Sequence, residues 1–70
     1  MTTQTSNTYE VSGLNSYGYH FGSTFQHEYY ARKLLDHKKS LSTTLALTLR
    51  VNGEVVERYE SQGLKLIRVI

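Results

Sequence analysis

Seventy residues allow one domain, and a chain that short hides only about 60% of its surface on folding, so its core is thin. The absence of cysteine excludes a disulfide framework and a thiolate metal site, and 39% hydrophobic with 20% charged residues excludes a fully disordered chain. A net charge of +2 is too small to make DNA binding the first expectation.

Residues 1–7 are polar and without periodicity, and are expected to form a frayed leader before a single domain over residues 8–70. No apolar run approaches the ~20 residues of a membrane helix, and Met1–Thr5 lacks a basic-then-apolar signal. A cytoplasmic protein without a membrane partner is therefore expected. From Thr8 to Leu14, Tyr9 and Val11 alternate with Glu10 and Ser12, the pattern of a half-buried strand. After a turn at Asn15-Ser16, the aromatics Tyr17, Tyr19 and Phe21 alternate with Gly18 and His20, and Gly22-Ser23 breaks the run. These two segments predict a hairpin.

A helix is predicted to begin near Ser23 or Thr24 and to run to Lys39. Ser23 as N-cap would place Gln26 at the third helical position of a capping box, and no Gly or Pro interrupts the segment Phe25–Lys39. At 100° per residue, His27, Tyr30, Ala31, Leu34 and Leu35 form the expected core stripe. Phe25, Tyr29, Arg32, Lys33 and Asp36 fall opposite. Lys38 and Lys39 suit the negative pole of the helix.

Leu45, Leu47, Leu49 and Val51 then alternate with Ala46, Thr48 and Arg50 in the cleanest strand of the chain, and Asn52-Gly53 signals a hairpin. A two-residue loop would set Leu49 opposite Val56. A three-residue loop with Gly53 at a bulge would pair Leu49 with Val55, Leu45 with Tyr59 and Arg50 with Glu54, and this register is preferred because it matches apolar with apolar and charge with counter-charge. After Ser61-Gln62-Gly63, the run Leu64–Ile70 is apolar on both faces, as in an interior strand or one covered by a partner, and a homodimer is one expected way to cover it. The predicted fold is α+β in the order ββαβββ, with an antiparallel sheet of four or five strands and one helix on one face. Its expected core is Val11, Ala31, Leu34, Leu45, Leu47, Leu49, Val55 and Leu66.

Catalytic chemistry finds little support. His27 and His37 lie ten residues apart on one helix, about 15 Å along the axis, and cannot share an ion. His27 is expected at a buried edge, with the other two histidines solvated. No glycine-flanked serine signature and no phosphate loop is present, and Glu28 with Arg32 and Glu54 with Arg50 account for several acids by local pairing. Neither an enzyme nor a cofactor is expected.

Surface chemistry points instead to binding. Six tyrosines in seventy residues is a high density, and tyrosine with arginine is the pairing enriched at interface hot spots. The segment Thr24–Ser40 sets Arg32, Lys33, Lys38 and Lys39 against only Glu28 and Asp36. Phe25, Tyr29, Arg32, Lys33, Lys38 and Lys39 are the candidate partner-binding residues. The bland alternative is a local Phe25–Tyr29 pair, four residues apart, with Phe25 folding back onto Phe21. A protein partner is the first expectation. A nucleic-acid partner, held by the same cations with Lys65 and Arg68 and stacked on Tyr29, is the second.

The helix Thr24–Leu35 followed by Leu49-Arg50-Val51-Asn52-Gly53-Glu54-Val55-Val56 and a final strand resembles, in layout, small phage-encoded anti-CRISPR proteins. The resemblance implies a non-enzymatic inhibitor, acting in the host cell cytoplasm, that docks on the backbone subunits of a type I CRISPR surveillance complex and obstructs target DNA. The first hairpin is richer in aromatics than that pattern, and no contact residue carries over.

Overall fold

The alternation of Leu45–Val51 becomes the middle strand of a five-stranded sheet. The computed structural model describes residues 7–63 and 65–70. Its elements are β1 (Tyr9–Asn15), β2 (His20–Phe25), α1 (Glu28–Ser40), β3 (Thr44–Val51), β4 (Glu54–Gln62) and β5 (Lys65–Arg68). Every neighbouring pair is antiparallel, in the order β2-β1-β3-β4-β5. The fold is α+β in the order ββαβββ, as the periodicities predict. No helix among the described residues is long and apolar enough to cross a membrane.

The strand order dictates where the helix goes. β2 and β3 flank β1 and are both antiparallel to it, so they run parallel to one another. Parallel strands cannot be joined by a tight turn, and the connection must cross the sheet face. Helix α1 makes that crossing and covers β1, β2 and β3 on one side. Val11, Leu47, Leu49 and Tyr59 from the sheet close over Ala31 and Leu35 from the helix. The other sheet face has no layer over it among the described residues.

At the end of α1 two of the last carbonyls, which have no partner within a regular helix, accept from hydroxyls. Ser40 Oγ donates to the carbonyl of His37 at 2.6 Å, and Thr44 Oγ1 to that of Lys38 at 2.8 Å. Asn52 and Gly53 both have positive φ, 53° and 86°, as a two-residue primed turn requires.

Several expectations are corrected. The β3–β4 loop has two residues, with Val51 opposite Glu54 and Arg50 opposite Val55. The ladder then shifts by one residue and sets Leu49 opposite Glu57 and Leu47 opposite Tyr59, so neither predicted register holds beyond the turn. Val56 is the extra residue of a β-bulge. The second strand lies later than predicted. Tyr17 and Tyr19 belong to the loop, and Gly22 and Ser23 sit inside the ladder opposite Ser12 and Val11. Ser23 therefore cannot cap a helix. Residue His27 occupies the N-cap without a side-chain bond, and α1 begins four residues later than the capping-box reading.

In the core, Leu45 and Val55 are exposed, Leu34 and Leu66 are half-buried, and Tyr59 joins the core as a buried residue. His27 and Tyr30 lie outside the core because the stripe on α1 narrows to Ala31, Leu35 and part of Leu34. Of the predicted leader, residues 1–6 lie outside the described residues, as does Leu64 of the last strand. Asn7 bonds to Tyr9 and to Asn52.

Gly13 shows how closely β1, β2 and β3 approach. A Cβ at this position would lie 2.2 Å from the Ala46 carbonyl oxygen and 2.6 Å from a ring carbon of Phe21. The Phe21 ring fills the space that a side chain would need, and the Lys38 ammonium lies over that ring at 4.4 Å. Gly13→Ala is expected to destabilise the domain by about 1–3 kcal/mol in urea unfolding, because backbone and ring must both shift. Gly22→Ala, whose Cβ would meet nothing nearer than 3.8 Å, is the control and should leave the midpoint close to wild type.

Candidate functional site

The inner and outer sides of α1 have different chemistry. On the inner side, the bulge at Val56 turns Glu57 and Tyr59 toward the helix. Glu57 is buried, and both its oxygens are used: Tyr59 Oη donates to one at 2.6 Å and the Arg32 guanidinium donates to the other. Arg32 also holds Glu28, one helical turn back, at 3.3 Å. Burial by itself would push the Glu57 carboxyl up, but the Tyr59 hydroxyl and the Arg32 guanidinium outweigh it and hold the carboxyl below its ordinary range. Burial, followed by the bond to Glu57, pushes the Tyr59 phenol up. Lys39 lies over the Tyr59 ring at 4.8 Å and within 3.5 Å of Asp36. This arrangement pins the helix to β4.

The outer side is aromatic. Tyr29 and Tyr30, in the first turn of α1, are 63% and 56% exposed, and their rings meet edge to face at 5.2 Å. His27 lies against Tyr30 at 6.1 Å, and the Lys33 ammonium lies over the Tyr29 ring at 5.4 Å. Three rings and one cation thus stand together at the start of a helix whose far side is fixed to the sheet. Rigid aromatic area of this kind binds at low entropic cost.

The six candidate residues separate into two groups. Tyr29 and Lys33 share the outer surface. Phe25 is in β2, half-buried against the core, because its backbone pairs with Tyr9. Arg32 is committed to Glu28 and Glu57, and Lys38 and Lys39 lie over sheet aromatics. Tyr30 and His27 belong to the outer cluster, because the buried stripe of α1 is confined to Ala31, Leu35 and part of Leu34 and His27 is the N-cap. Tyr17 and Tyr19, 73% and 70% exposed, stand at the other end of the molecule. Their loop is tied to the α1–β3 connection by the Ser16 amide, which donates to the Thr43 carbonyl at 2.7 Å. Among the described residues no three His, Asp or Glu side chains converge as metal ligands would.

The Glu57 network has a definite pH signature. A carboxyl whose folded pKa is depressed adds stability above its unfolded pKa and loses it as pH falls through the folded value. A phenol whose folded pKa is raised adds stability below about pH 10 and loses it as pH rises. Wild-type stability should therefore fall on both sides of a neutral plateau. Glu57→Gln should cost about 1–3 kcal/mol at pH 7, since half-exposed Arg32 can turn to water, and should flatten the acid limb of a melting-temperature profile. An acid limb of unchanged slope would show that Glu57 is not the group responsible.

Compared with protein-family models, with curated proteins and with solved structures, the chain gives no match in any of the three.

Proposed function

We propose that this protein is a non-catalytic binding module that docks a protein partner through the aromatic start of α1. The observation that carries the reading is the exposure of Tyr29 and Tyr30, side by side on a helix held from behind by Arg32 and Glu57. Tyrosine anchors on a pre-organised element lose little freedom on binding, and Lys33 supplies a cation at the rim. Of the four cations proposed for the helix surface, Arg32 is paired with carboxylates, Lys38 and Lys39 lie over sheet aromatics, and Lys33 alone of the four stands at the outer surface, over Tyr29, which favours a protein partner over a nucleic acid at this surface. The resemblance to anti-CRISPR proteins suggests the partner to try first, a type I CRISPR surveillance complex in a host cytoplasm. A second copy of the chain would add at β5, where Ile67, Val69 and Ile70 are exposed, and light scattering would report it.

The test is calorimetry or biolayer interferometry of the purified protein against such a complex. Tyr29→Ala should weaken binding by about 1–3 kcal/mol while the melting temperature holds, since the ring contributes no core. Lys33→Glu should slow association to an acidic surface and reverse its salt dependence. Wild-type affinity in Tyr29→Ala and in the Tyr29→Ala/Tyr30→Ala double variant would move the interface elsewhere, first to Tyr17 and Tyr19.

A further inference from the structure

The uncovered face of the sheet carries a site of its own, independent of the docking surface on α1. The strand registers align its side chains in rows across the sheet. One row runs Gly22, Ser12, Thr48, Arg58, and its first three members are small. The row on one side holds Thr24, Glu10, Arg50 and Val55, and the row on the other holds His20, Leu14, Ala46 and Glu60. Small residues between taller ones leave a depression of about 470 Å³, lined by Ser12, Thr48, Arg50 and Arg58 toward one end and by Leu14 and His20 toward the other. That volume is in the range of small-molecule sites.

We propose that this depression binds a nucleotide, with the phosphate at the arginines and the base against Leu14 and His20. Three features of the polar end fit a phosphate. Arg50 and Arg58 come from adjacent strands, and their planar guanidinium groups present donors in the geometry that phosphate oxygens accept. The floor supplies two hydroxyls, Ser12 and Thr48, and Arg50 already donates to Ser12 Oγ at 3.2 Å. Each arginine meets one carboxylate through one of its nitrogens, Glu10 at 3.4 Å from Arg50 and Glu60 at 3.2 Å from Arg58. All four side chains are about half exposed, and pairs of this kind contribute little and exchange readily. The remaining donors of both guanidinium groups have no partner among the described residues. The other end is less polar and bounded by an imidazole and a leucine, which suits a flat ring better than a second charge.

The experiment is an amide-shift titration of the ¹⁵N-labelled protein at low salt with AMP, adenosine, ribose 5-phosphate and inorganic phosphate. AMP is expected to shift the signals of β1, β3 and β4 around Ser12, Thr48 and Arg58, and to bind more tightly than each of the other three. Arg58→Gln, on an exposed position outside the core, should weaken AMP at least roughly tenfold without lowering the melting temperature. Ala46→Leu, which fills the depression and leaves both arginines in place, should weaken it as well. Equal affinity for AMP and inorganic phosphate would reduce the site to a general anion patch and overturn the proposal. So would equal affinity for AMP and adenosine, shifts confined to α1, or no shifts with AMP.

Discussion

One extra residue in β4 fixes the relation between helix and sheet. Without the bulge at Val56, the two-residue Asn52-Gly53 turn would carry strict alternation down β4 and set Leu47 opposite Arg58. Arg58 would then lie beneath the helix, and Glu57 and Tyr59 would face away from it. With the bulge, Tyr59 completes the core beside Leu47, and Glu57 meets Arg32. The same shift sends Arg58 to the open face beside Thr48. Both surfaces of the protein depend on this slip of one residue.

A buried carboxylate under a helix is costly unless its oxygens are bonded, and here both are. Compared with an apolar pair of the same shape, Glu57 and Arg32 gain little net stability, but Glu57 makes other helix positions worse, because sliding α1 by one turn would leave a charge buried without Arg32. The lysines extend this logic. Lys38 and Lys39 lay their ammonium groups over Phe21 and Tyr59, so the last turn of α1 is held by cations on rings as well as by apolar contact. Holding the inner side this way leaves the outer side free of structural duty. Tyr29, Tyr30 and Lys33 can be spent on recognition without weakening the core.

Much of this fold was legible in the chain, and the errors have physical causes. The alternation of Leu45–Val51 and the glycine-free run from Phe25 to Lys39 are signals set by periods of 2.0 and 3.6, and they identified β3 and α1. The bulge left no such mark. Val55 and Val56 are consecutive and both apolar, so a shift between them is invisible to pattern matching. Gly22-Ser23 reads locally as a breaker, but pairing with Ser12 and Val11 decides its structure, and partners ten and twelve residues away are not encoded in local propensity. The same miss carried Phe25 from the helix surface into β2. At the candidate site, the outward phase of Tyr29 and Lys33 was readable from helical spacing. Tyr30 was not, because helical spacing does not set the width of the buried stripe, and nor was His27, which is the N-cap and not a helical residue.

A sheet with one helix has a second face to dispose of, and a chain of seventy residues lacks the material to cover it. The alternation that directs Leu47 and Leu49 to the helix directs Thr48 and Arg50 to the other side, so that face is polar by the same rule that makes the core apolar. Charges placed there need partners that tolerate water, and the pairs Glu10–Arg50 and Glu60–Arg58 supply them. Small residues between such pairs, Ser12 and Thr48, keep the strands flat enough to pair and leave room above them. A ligand entering that room exchanges one exposed ion pair for another and disturbs nothing beneath the sheet. Binding on the open face and docking on the helix can therefore coexist in a domain too small to hold a conventional interior pocket.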